Sequence, residues 1–282
     1  MKKIFSYISK STFLALAFFG VMTFVGLSAA HAQNDTLNPL FSTTGPNVLG
    51  AGRIEWNSSL DYFHSSYDLF GSQTTHLSNN FGATTGLRFG IGNRAELTLD
   101  ASGMYTLLKI ENYNGPVRNT QNYYPSVGVK LLLAEGKGWL PQVAFFTHVG
   151  MEISESAFNP TLWYKEVQPE IGLMFRNRIG RSWAIDYSLG YAWNSGYVPG
   201  IDFRNQVQYS LFFRKLVSER HTVGVGIGNN NSAHQLMGDV EWRYLVNPNL
   251  QLSLQAGGSL GFASDSYADQ AHANLGIHWT LR

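Results

Sequence analysis

Asp239, Glu241 and Arg243 stand two residues apart in the stretch GDVEWRY. On an extended chain that spacing puts both carboxylates and the guanidinium on one face. Paired carboxylates can hold a cation or divide acid and base work. The simpler reading is a ladder of ion pairs with neighbouring strands, which props a barrel open. Gly257-Gly258-Ser259-Leu260-Gly261 fits the pattern GxSxG. A nucleophile of that kind needs a strained strand-to-helix turn, whereas here the pattern lies inside an alternating strand. Gly224, Gly226 and Gly228 have no following helix, so they make no phosphate cradle and read as a small inward face. Beyond His31, histidines fall at 64, 76, 148, 221, 234, 272 and 278. His272 and His278 share a strand face but lie about 20 Å apart, too far to share a metal. His148 could act as a base toward a serine on another strand, but no serine–asparagine pattern accompanies it. No catalytic, metal or cofactor site is expected, and the chain is read as a non-enzyme.

The elements that carry these residues are strands. In RSWAIDYSLGYAWN, large apolar residues recur at every second position from Trp183 to Trp193, with small or polar residues between them. A period of two is the strand signature. The pattern recurs along the chain and predicts about twelve strands, near 52–63, 80–91, 95–108, 122–133, 140–152, 166–177, 183–194, 203–216, 221–229, 235–246, 250–262 and 271–281. Short turns at Gly92-Asn93, Ala134–Gly138, Asn177–Arg181, Val217–Arg220 and Asn247–Asn249 alternate with longer polar loops. Such alternation is a habit of outer-membrane barrels. No segment shows a sustained helical period.

Charged residues make up 14% of the chain, hydrophobic ones 44%, and the formal net charge is +1. Soluble domains carry roughly 25% charged residues. A near-zero charge argues against nucleic acid as a partner. The absence of cysteine excludes disulfides and thiolate metal sites. Lys2 and Lys3, an apolar run from Phe13 to Leu27, and Ala30-His31-Ala32 make up a signal-peptide pattern over 1–32, cleaved before Gln33. Residues 33–50 read as an irregular lead-in, and 51–282 as one domain.

About twelve long bulky faces would need two very large sheets to form a soluble core, with edges left to protect. Turned outward to lipid they need no core, and closure pairs every backbone group. The expected fold is therefore all-β, an antiparallel up-and-down transmembrane barrel in the bacterial outer membrane. The opposite phase then lines the lumen: Arg53, Glu55, Asp61, Arg88, Glu96, Asp100, Lys130, Glu170, Arg176, Asp186, Asp239, Glu241 and Arg243. Because both signs occur, only weak ion selectivity is expected. Trp56, Tyr62, Trp183, Tyr191, Trp193 and Trp279 are the candidate aromatic girdle. Ten residues separate Trp183 from Trp193, about 25 Å along the normal of a tilted strand, which matches the apolar band. Tyr113, Tyr123, Tyr124, Trp163, Tyr164 and Tyr197 could form an outer vestibule or anchor at the interface.

With the strands placed, the chain resembles the Gram-negative outer-membrane barrel family named after the meta-pathway of phenol degradation, in its Bacteroidetes style. The stretches that carry the resemblance are TTGPNVLGAGRIEW (43–56), GLRFGIGNRAEL (86–97), GVKLLLAEGKGWLPQVAFF (128–146) and LVNPNLQLSLQAGGSLGF (245–262). The resemblance implies passage of small, also hydrophobic, organic compounds across the outer membrane. Outer-membrane lipids and the barrel assembly machinery are the expected partners. The chain ends HWTLR, where barrels of this kind usually end on an aromatic residue read during assembly. Two other functions stay open: an outer-membrane lipid hydrolase using His148, and a structural or adhesive barrel plugged by residues 33–50.

Overall fold

The computed structural model describes residues 45–68, 75–110, 118–137, 139–155, 163–193, 205–229, 236–260 and 269–281. The expected signal peptide and residues 33–44 lie outside them. Twelve strands follow in order: β1 (Ile54–Asp68), β2 (Thr75–Gly90), β3 (Ala95–Ile110), β4 (Arg118–Ala134), β5 (Gln142–Glu155), β6 (Trp163–Ile179), β7 (Trp183–Trp193), β8 (Asn205–Ser218), β9 (His221–Asn229), β10 (Leu236–Asn247), β11 (Leu250–Ser259) and β12 (Asp269–Leu281). Each pairs antiparallel with its sequence neighbours, and β12 pairs with β1, so the sheet closes into a barrel. Closure removes both edges, and with them the unpaired backbone groups that lipid would not tolerate.

The register fixes the barrel's shape. From Asp61, directly opposite partners run through β2, β3, β4 and β5 to Tyr164 on β6. In the other direction they run through β12 back to β7 and reach Arg178 on the same strand. The two points are fourteen residues apart, and that stagger on twelve strands corresponds to a strand tilt of about 40° and a backbone radius of about 11–12 Å.

Burial runs opposite to that of a soluble protein. Outward positions such as Leu60, Val149, Leu189, Val207 and Leu275 are exposed, whereas the largest fully buried side chains include Arg176, Arg243 and Glu96. The greasy phase is the outside, and the polar phase is the interior.

Several strands run beyond the limits that alternation sets. β1 continues to Asp68, β2 begins at Thr75, β4 begins at Arg118 and β6 spans Trp163–Ile179. The ladder persists there through SSYD and THLSN, where polar residues fall in both phases and the period of two no longer shows. Connections at the rim where β1 begins are two to seven residues long, and those at the far rim six to eleven. At the near rim the chain enters β1 through a turn at Gly50–Arg53. Arg53 N donates to Gly50 O at 3.1 Å, Gly52 N to Gly90 O at 3.0 Å, and Gly52 has φ +72°. That backbone conformation suits glycine.

Candidate functional site

Near the rim where β1 begins, the interior carries a belt of charge built by direct cross-strand pairing. Glu55 lies opposite Arg88, Glu96 opposite Lys130, and Arg176 opposite Asp186. Arg88 donates to Glu55 at 2.6 Å and to both oxygens of Glu96 at 2.8 Å, while Lys130 Nζ reaches Glu96 at 2.9 Å. On the other side Arg176 holds Asp186 through two bonds of 2.5 and 2.7 Å. Arg214 bridges Asp186 and Glu241, the latter at 2.8 Å, and Arg243 Nε donates to Glu241 at 2.6 Å. Both Arg214 and Glu241 reach over Gly224, which lies between them in register and leaves space for both side chains. All nine side chains are buried, five cations against four carboxylates. Charges this far from water persist only when each is paired and hydrogen-bonded.

Arg214 has no place among the residues expected from sequence. Phe212-Phe213-Arg214-Lys215 puts like residues side by side and blurs the phase. The even-numbered polar run Gln206, Gln208, Ser210 on the same strand is the signal that assigns Arg214 to the inside. Arg53, by contrast, is exposed, because it stands in the rim turn before β1 begins.

The remaining expected acids lie on the inner phase roughly 10 Å farther up the barrel axis, given the register and tilt. Asp61 pairs with Asn274 and accepts from Ser59 at 3.2 Å. Asp239 joins neither Glu241 nor Arg243 but meets His272 at 2.8 Å and Gln255 at 3.1 Å. Asp100 and Glu170 complete this level. None of these four carboxylates forms an ion pair with a described lysine or arginine.

Glycines on the inner phase work as seats. A Cβ on Gly128 would overlap the His148 ring, one on Gly150 would overlap the Tyr124 ring, and ones on Gly172 and Gly226 would meet Phe146 and Phe212 at 2.5 Å. Each missing side chain lets a neighbour's ring lie along the wall instead of projecting toward the axis. His148 crosses Gly128 this way and its Nε2 stands 3.3 Å from Thr98 Oγ1. It therefore faces inward, away from where acyl chains would lie. Ser259, the serine of the GxSxG pattern, ends β11 and accepts from Gln270 N at 3.1 Å. Among the described residues no three metal-ligating side chains converge.

Outside, Trp56 and Trp279 lie directly opposite each other near the β1 rim, and Trp183 begins β7 at the same end. Lys215 Nζ sits 5.1 Å from the Trp183 ring centre. Toward the far rim Tyr191 and Trp193 meet edge to face at 4.7 Å, and Tyr62 packs on Phe81 at 5.3 Å. A stack of His221, Trp242 and Tyr244 adds to the near-rim aromatics. Of the expected vestibule, Tyr123 is exposed and Tyr124 turns inward over Gly150. Trp163 and Tyr164 belong to β6, and Tyr113 and Tyr197 lie outside the described residues.

Neither a protein-family model nor a curated protein sequence matches the chain. Among solved structures, an outer-membrane channel from Pseudomonas putida F1 is similar with a TM-score of 0.60 at 14% identity, covering 88% of this chain and 100% of that one. The transport unit of the autotransporter AIDA-I from Escherichia coli is similar with a TM-score of 0.53 at 13% identity, covering 80% and 89%. The likeness is one of fold: this chain has the fold of a bacterial outer-membrane β-barrel.

Proposed function

We propose that the protein is an outer-membrane channel through which small organic solutes, hydrophobic ones included, pass unchanged. The observation that carries this reading is the seated wall at and above the charge belt. Glycines on the inner phase let Tyr124, Phe146, His148 and Phe212 fold flat, which keeps a closed barrel of about 11–12 Å backbone radius from filling with its own side chains. A wall that mixes rings with amides and carboxylates offers both apolar and polar contact to a passing solute. The thirteen charged inner-phase residues foreseen from sequence would line this path, apart from Arg53 at its rim, and the two bands of aromatics would anchor the barrel at the two lipid interfaces. The likeness to the Pseudomonas putida channel and the resemblance to the phenol meta-pathway family favour the same reading. A lipid hydrolase gains no support from His148, whose partner Thr98 is also on the inner face. Purified protein in planar bilayers should give discrete conductance steps, and proteoliposomes should swell in small solutes. Silent bilayers and unswollen liposomes from folded protein would remove the reading.

A further inference from the structure

Residues 45–50, the stretch GPNVLG, lie inside the barrel at the level of the charge belt, and Gly45 through Leu49 are buried. The segment leaves β1 through the Gly50–Arg53 turn. Leu49 N donates to Glu96 Oε2 on β3 at 2.8 Å. Lys130 Nζ on β4 donates to Gly45 O at 3.3 Å. A Cβ on Gly45 would collide with Arg176 Nη2 on β6. The segment thus runs from the foot of β1 to a side chain five strands on, close to the opposite wall of a twelve-strand barrel. Six extended residues reach about 20 Å, comparable to the backbone diameter.

We infer that this segment is a latch: it constricts the mouth at the β1 rim without sealing it, and the belt residues Glu96 and Lys130 hold it there by its backbone. The inference rests on the channel reading. Two features make the latch releasable. It is held by hydrogen bonds from belt residues whose own ion pairs do not need it. It also packs by fit against bare backbone, since a Cβ on Gly90 would collide with Gly50 O. Gly90 has no positive φ, so a valine there strains the latch and the Gly50–Arg53 turn that anchors it, and not the backbone conformation of β2.

The chain has no cysteine, which allows a clean test. In Val48→Cys the thiol should react with a membrane-impermeant maleimide many-fold more slowly than in Val48→Cys/Gly90→Val, with both proteins verified as folded barrels by heat-modifiable migration. Gly90→Val alone should raise single-channel conductance several-fold over the unmodified protein. Gly45→Trp, which expels the latch from the Arg176 side and leaves the strands untouched, should do the same and serves if Gly90→Val fails to fold. Equal labelling in both backgrounds overturns the latch. Faster labelling of the introduced thiol in the double variant, with conductance unchanged from that of the unmodified barrel, overturns its constricting role and leaves the channel reading standing. Faster labelling with no conductance in any variant overturns both.

Discussion

At the scale of single residues, Arg214 is the keystone of the belt. It touches Asp186 and Glu241, and each of these is also held by another arginine, Arg176 or Arg243. Removing Arg214 would leave two buried carboxylates sharing what remains. Truncating one partner of a buried pair typically costs about 3–5 kcal/mol, and because Arg176 and Arg243 still pair the two carboxylates the cost here falls at the low end of that range. Arg214→Met should therefore lower the unfolding free energy of the refolded barrel by about 3 kcal/mol, read from urea titration in lipid vesicles. The exposed pair Arg94–Glu135, at 3.6 Å, supplies the contrast. Arg94→Ala should cost less than about 1 kcal/mol, since water already screens it. If the two substitutions cost the same, the belt is wetter and looser than its geometry indicates.

At the scale of elements, each strand is a two-sided object, and its outer side can be tested directly. Leu189 sits mid-strand on β7 between Trp183 and Trp193, outward and 56% exposed. In a bilayer that exposure is to acyl chains, so Leu189→Arg should cost about 2–4 kcal/mol. Trp139, 83% exposed in the β4–β5 connection, is a control, where Trp139→Arg should cost about 0–1 kcal/mol. Equal costs would place β7 outside the lipid. The same two-sidedness explains what the sequence made legible. Alternation gave strand number, order and facing, because lipid on one side and a polar interior on the other impose opposite tastes on neighbouring residues. It lost the strand ends, since SSYD and THLSN carry polar residues in both phases and show no period of two. It also could not pair Asp239 with His272, thirty-three positions away, rather than with Arg243 on the same face. That choice is made by register and tilt, which no local pattern encodes. The aperiodic GPNVLG carried no signal for its place inside the barrel, because backbone hydrogen bonds and glycine fits, among the contacts that seat it, leave no periodic trace in the sequence.

At the scale of the whole molecule, charge is sorted along the axis, which its overall balance of +1 conceals. Sequence alone argued for weak ion selectivity from mixed signs. In the fold, the mixed signs neutralise one another within the belt, while Asp61, Asp100, Glu170 and Asp239 above it have no described lysine or arginine partner. A pore selects by the charges left uncompensated along its path, and rings of carboxylates favour cations. Four carboxylates in an aqueous lumen of this width act through a Debye length of about 8 Å at physiological salt, so the preference should be modest and should fade as salt rises. Reversal potentials under a potassium chloride gradient should therefore show cations passing ahead of anions. The double change Asp100→Asn/Glu170→Gln should bring the ratio toward unity, whereas Arg214→Met, buried within the paired belt, should move it little. An anion preference in the unmodified barrel would mean that the belt, with its five cations, governs permeation after all.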